Sequence, residues 1–186
     1  LENSKTEVLV NVMVDAINRF LEHPDAQTRQ HIVDLFGTQR VLDVARNPYG
    51  RIDALRLLYQ EQLSECARFV RYFEMRDCNG RTIYYLFFAG NHPLGHVRIK
   101  EAFWKVDPTS GYCFSDATNP NQLVLFEIDE TPRLAADLAK VFGNQRVTVE
   151  KIKKYVEDET PFIATHMRGA LGLLEQENRV VVAEFK

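Results

Sequence analysis

The chain has 186 residues, 45% of them hydrophobic and 26% charged, with a formal charge of −3. That length holds one domain or two small ones and enough apolar residues for a packed core, which excludes a multidomain machine and a disordered tail. The longest apolar run, Ile83 to Ala89 (IYYLFFA), suits a strand and is far short of the roughly 20 residues that span a bilayer, so no membrane span is expected.

The first residue is Leu1 rather than Met, and Leu1 to Lys5 is polar with no small-residue cleavage pattern after the next apolar run, so no signal peptide is read. Thr6 to Val14 is rich in Val and Leu and predicts a buried strand, followed by a helix over Asp15 to Glu22. Ala26 to Leu35 carries a helical stripe that stops at Gly37, and Arg51 to Cys66 repeats apolar residues at Ile52, Leu55, Leu58, Tyr59, Leu63 and Cys66. The rhythm then changes to two β-rich runs, Phe69 to Met75 and Thr82 to Ala89. The Asn79-Gly80 pair between them predicts a type I′ turn and an antiparallel hairpin. The second run is apolar on both faces and belongs inside a sheet. Pro93 to Val106 reads as a helix with Val97, Ile99, Phe103 and Trp104 as buried candidates, and Asp107 to Asn121 as a linker.

Beyond the linker, Thr131 as cap and Pro132 as first residue open a helix through Phe142. Thr148 leads a short helix over Val149 to Val156, and Thr160-Pro161 opens a third over Phe162 to Gln176. Its stripe is Ile163, Met167, Ala170, Leu171 and Leu174. Arg179 to Phe185 predicts a final strand. Three helices and a strand, with a short turn before the last helix, make a winged-helix pattern. The boundary between the two parts is placed at 117/118.

Candidate chemistry is sparse. No Gly-x-Gly-x-x-Gly, Gly-Lys-Ser/Thr or Gly-x-Ser-x-Gly occurs. Asn47-Pro48-Tyr49-Gly50 invites comparison with the loop by which amino-methyltransferases hold a flipped base. It lacks a second proline and a convincing preceding strand, so it reads as a turn opening the next helix. His92 and His96 share a helical spacing but have Pro93 and Gly95 between them and no third ligand, and they read as polar residues at a helix start. Asn91 and His92 stand where a strand gives way to a helix, a common place for ligands, and are kept as pocket candidates. No catalytic, cofactor-binding or metal-ligating residue is assigned.

The three cysteines, Cys66, Cys78 and Cys113, lack metal-type spacing and read as reduced, which points to the cytoplasm. Residues 131–186 hold nine Lys/Arg against eight Asp/Glu, a balance of +1, while the first 130 hold fourteen against eighteen, a balance of −4. Neither part is a strong polyanion binder. On the winged-helix pattern, Thr165, His166, Arg168 and Gly169 face solvent on the recognition helix, and Lys151, Lys153 and Lys154 lie on the helix before it. Contacts to nucleic acid and contacts to a partner protein remain two open readings of these residues.

Asn11–Phe20 (NVMVDAINRF), Leu58–Leu63 (LYQEQL), Phe69–Asp77 (FVRYFEMRD), Tyr84–Asp107, Gly111–Asp116 (GYCFSD) and Val147–Val180 together resemble the three-Cys-motif partner (TcmP) family. The sharpest parts are Tyr84–Asp107 and Val147–Val180, and neither is a catalytic motif. The resemblance implies an α/β, or α+β, architecture. Its first part would be a partial Rossmann-like methyltransferase sheet closed by an antiparallel hairpin, followed by a C-terminal winged helix-turn-helix domain. Thr6–Val12 then resembles a late strand of that sheet. It further implies S-adenosylmethionine as cofactor of a longer parent, and as partners a separate three-cysteine protein of radical-enzyme type and nucleic acid. The family's cofactor and substrate loops lie upstream of Leu1. This chain is therefore expected to be the C-terminal portion of a longer protein, or a shortened relative, binding no cofactor alone.

Overall fold

A computed structural model describes residues 6–47, 49–115, 129–181 and 183. Contacts divide them into two compact units, residues 6–96 with 112–115, and residues 97–111 with those from 129 onward. The expected boundary at 117/118 lies outside the described residues.

The first unit is mixed α/β. Strand β1 (Glu7–Val12) leads into α1 (Val14–Phe20), α2 (Ala26–Phe36), the short α3 (Val41–Val44) and α4 (Arg51–Cys66), followed by β2 (Phe69–Arg76), β3 (Thr82–Gly90), the start of α5 (Pro93–Val106) and β4 (Cys113–Ser115). The sheet order is β1-β3-β2-β4. β3 runs antiparallel to both β1 and β2, and β4 runs parallel to β2. The aromatic strand β3 is thus internal, as its two apolar faces require.

β1 is not the buried strand its Val and Leu content suggests. It lies at the end of the sheet and alternates, with Glu7, Leu9 and Asn11 exposed and Val12 buried. Glu7 and Asn11, four residues apart and so on one face of a strand, are the signal for a half-buried position. Val10, Val12, Tyr85 and Phe87 meet Ile17, Leu21, Ile32, Val33, Phe36, Leu55, Leu58 and Tyr59 in one apolar cluster. Each such side chain contributes about 1.5–3 kcal/mol by leaving water. At the centre the Tyr59 ring lies 5.1 Å from Phe87 and takes Phe36 edge-on at 5.3 Å.

Two turn details follow local chemistry. α2 is capped by Asp25, whose side chain accepts from Thr28 N at 2.8 Å, and it ends at Gly37 with φ +65°. The β2–β3 hairpin does not use the expected type I′ turn, because Gly80 has positive φ (75°) and Asn79 does not. Instead Gly80 N donates to Asp77 O at 3.0 Å, and the Asp77 carboxylate accepts from Asn79 N and Arg81 N, each at 2.9 Å. An aspartate holding the amides two and four residues on favours this longer turn over the two-residue form.

In the second unit α5 from Val97 onward joins α6 (Thr131–Phe142), α7 (Val149–Glu159) and α8 (Ala164–Gln176). Its core is Trp104, Leu134, Ala135, Leu138, Ile152, Val156, Phe162, Met167, Ala170 and Leu174. Thr131 is the first residue of α6 rather than its cap, since Asp129 Oδ1 accepts its backbone N–H at 2.9 Å and moves the start one residue back. α8 begins at Ala164, after a turn of residues 160–163 that the sequence pattern assigned in part to the helix. The strand expected over Arg179–Phe185 falls partly outside the described residues, and residues 179–181 and 183 carry no ladder. None of the three cysteines forms a disulfide, and among the described residues no helix is long and apolar enough to cross a membrane.

Candidate functional site

Thr148 starts α7 by accepting from Lys151 N at 3.2 Å. Ile152 and Val156 turn into the core, which leaves Lys151, Lys153 and Lys154 exposed. Lys153 reaches Glu157 one turn on at 3.6 Å, so part of its charge is matched within the helix. Thr160 then closes α7. Its hydroxyl donates to Val156 O at 2.7 Å and accepts from Phe162 N at 3.2 Å, which bends the chain into the four-residue turn.

Met167, Ala170 and Leu174 bury the inner face of α8, and Thr165, Arg168 and Gly169 are exposed on the outside. Close approach of α6 depends on Gly169, where a Cβ would lie 3.3 Å from the Thr131 side chain. His166 does not stand in solvent with its neighbours. Its ring lies 4.3 Å from Trp104 and edge-on to Phe162 at 5.8 Å, and its Nδ1 accepts from Ile163 N at 3.3 Å, capping the first turn of α8. Burial lowers its pKa below the ordinary histidine value, against the pull of the Asp129 and Glu130 carboxylates. Glu101, Trp104, Lys105, Pro108, Ile163 and His166 line an open cavity of about 450 Å³ at this end of the helix.

The pocket candidates of the first unit serve the backbone. Asn91 Oδ1 accepts from Arg68 N at 2.7 Å, and exposed His92 accepts from Leu94 N at 3.2 Å at the start of α5. His96 is buried, stacked on Phe69 at 4.4 Å, with Nε2 accepting from Arg71 Nε at 2.8 Å. The two histidines therefore have different surroundings despite their helical spacing.

Lys100, which sequence reasoning passed over, and Trp104, which it read only as a core residue, complete the turn. Lys100 Nζ donates to Val156 O, Glu157 O and Thr160 O, and Trp104 Nε1 donates to Pro161 O at 2.9 Å. A lysine four residues before a buried tryptophan, inside an otherwise apolar stripe, was the available signal.

Two helices joined by a four-residue turn, with the second presenting an exposed polar face, define the helix-turn-helix class. Residues 114–184 match the family model of the GMT-like wHTH domain, which supports a winged helix-turn-helix domain in this part of the chain. No curated protein and no solved structure matches the chain.

Proposed function

We propose that the helix-turn-helix contacts nucleic acid, with α8 as the reading helix and Thr165, Arg168, Lys153 and Lys154 as its contacts. The observation that carries this reading is the outward face of α7 and α8, where these four side chains are exposed while the apolar residues between them are buried. His166 takes part indirectly, by holding the first turn of α8. A protein bound mainly through phosphates loses affinity as salt rises, with a slope of about 0.9 per neutralised phosphate. Fluorescence anisotropy with a DNA duplex across a salt series tests this. Arg168→Glu and the double variant Lys153→Glu/Lys154→Glu are expected to weaken binding and flatten the slope. A measurable affinity left unchanged by both would overturn the reading. The small excess of positive charge in this part of the chain favours weak binding, and capture of a partner protein by the same face is the competing outcome.

The sheet supports a second, finer reading, that the chain is the C-terminal portion of a TcmP-like, S-adenosylmethionine-dependent methyltransferase-type protein working beside a three-cysteine radical-type partner. What supports it is the strand order. β1 and β2 run in the same direction with antiparallel β3 between them, as a late strand and a closing antiparallel pair would. The residues present do not fit the cofactor. β1 passes through Met13 directly into α1 without a glycine turn, and the Asn91 and His92 side chains are taken by backbone amides. No methyl-transfer step is therefore derived. Calorimetry with S-adenosylmethionine is expected to show no binding to the 186-residue chain, and binding would overturn the placement of the cofactor loops elsewhere.

A further inference from the structure

We propose that α5 from Val97 onward is a working part of the helix-turn-helix, and that Lys100 is the positioning residue that aims α8. The last carbonyls of a helix have no partner within it. Here Val156 O, Glu157 O and Thr160 O accept from the Lys100 ammonium at 2.9, 2.8 and 2.9 Å, and the next carbonyl, of Pro161, accepts from the Trp104 indole. Lys100 and Trp104 are four residues apart on one face of α5, so a single rigid helix holds the end of α7 and the turn that follows.

Lys100 is only 2% exposed. Burying an ammonium is costly unless its protons are matched, and this one has three protons for three carbonyls at the negative end of a helix dipole. A methionine would fill the same space without that cost. What the charge adds is direction, because three bonds to one nitrogen admit one geometry of the turn and hence one direction for α8. The residues matched as a GMT-like wHTH domain begin at 114, so this helix lies before them in the chain.

The inference rests on α8 being the nucleic-acid face, and its test separates the two. In the full chain, Lys100→Met removes the donors and keeps most of the side chain's length, and Trp104→Phe removes the indole N–H together with part of a buried ring. Hydrogen exchange of the amides in residues 162–167 is expected to speed up about tenfold or more in Lys100→Met, the size expected for losing bonds to a charged donor, and less in Trp104→Phe. The amides of β1 to β3 are expected to exchange as in the parent chain. Affinity for a mixed-sequence DNA duplex is expected to fall about tenfold with the salt slope unchanged, since Lys100 touches no phosphate. Unchanged exchange at residues 162–167 in both variants overturns the proposal. A flattened salt slope also overturns it, by making Lys100 a phosphate contact. If Lys100→Met does not fold, Trp104→Phe decides on the same readouts. If the parent chain binds no duplex, the nucleic-acid reading fails alone, and the exchange difference still decides whether these two residues hold the turn.

Discussion

A Cβ added to Gly111 would lie 2.7 Å from Cε2 of the Trp104 indole, and Gly111 holds a left-handed φ of 70°. The glycine therefore serves twice, as the residue that tolerates the turn after α5 and as the flat surface against which the tryptophan packs. Gly111→Ala is expected to cost about 2–4 kcal/mol, from the left-handed backbone and the overpacked ring together. Denaturant unfolding measures the loss, and Trp104, the one tryptophan of the chain, reports the repacking by its emission. A variant as stable as the parent would show that the loop moves away at little cost.

The half-buried imidazole of His166 predicts a pH response. Its folded-state pKa is depressed by burial, with Asp129 and Glu130 opposing and Lys100 reinforcing the shift. The neutral ring accepts from Ile163 N, and Trp104 and Phe162 pack on it. Its contribution is therefore complete above the unfolded value of about 6.5 and is lost as pH falls through the lower folded value. Stability measured from pH 7.5 to pH 5 (about one unit above and about one and a half below that value) should decline less in His166→Gln than in the parent chain. Equal declines would remove His166 as the cause.

Glu74 makes the corresponding prediction for the first unit at lower pH. Burial opposes its ionisation, but bonds from Arg76, 2.6 Å away, and from the Thr82 hydroxyl prevail and lower its pKa. Its contribution is present above the unfolded carboxyl value of about 4.3 and is lost as pH falls through the folded value. Glu74→Gln should lower stability at neutral pH by about 1 kcal/mol and remove part of the acid sensitivity. The neighbouring Tyr85 hydroxyl, pushed up to about 12 by burial and then by the Glu74 and Asp53 carboxylates, stays neutral throughout.

Asp77 should matter to the hairpin more than the Asn-Gly pair that marks it. Asp77→Ala removes the acceptor for two backbone amides and is expected to destabilise the first unit by about 1–2 kcal/mol, with Asp77→Asn recovering most of the loss. Thermal unfolding of the three chains compares them. An alanine variant as stable as the parent would mean that Gly80 and the backbone bonds of residue 77 hold the turn without the carboxylate.

Periodicity made the helices α2, α4 and α5 legible almost to the residue, because Gly37, Gly50 and Pro93 punctuate them. Sheet position was less legible. β1 and β3 are both hydrophobic by composition, and only Glu7 and Asn11 distinguish an end strand from a central one. At the candidate site the exposed Lys153, Lys154, Thr165 and Arg168 could be placed from helical spacing alone. The inward turn of His166 could not, since it depends on Trp104 more than 60 residues earlier in the chain. Lys100 was hidden for the same reason. Hydropathy places a lysine at the surface, and only the arrival of three carbonyls, two from the end of α7 and one from the turn after it, makes its burial favourable.

The strand order also sets a timetable. β1 ends at Val12, yet its partner β3 ends at Gly90, 78 residues later. At the ribosome's pace that separation lasts roughly 4–16 s. Until then β1 and β2 lack the strand that joins them, and the four helices between them have no completed sheet to pack on. Folding of this unit during synthesis is therefore a late event governed by the hairpin, with β1 drawn in from the far end of a long loop.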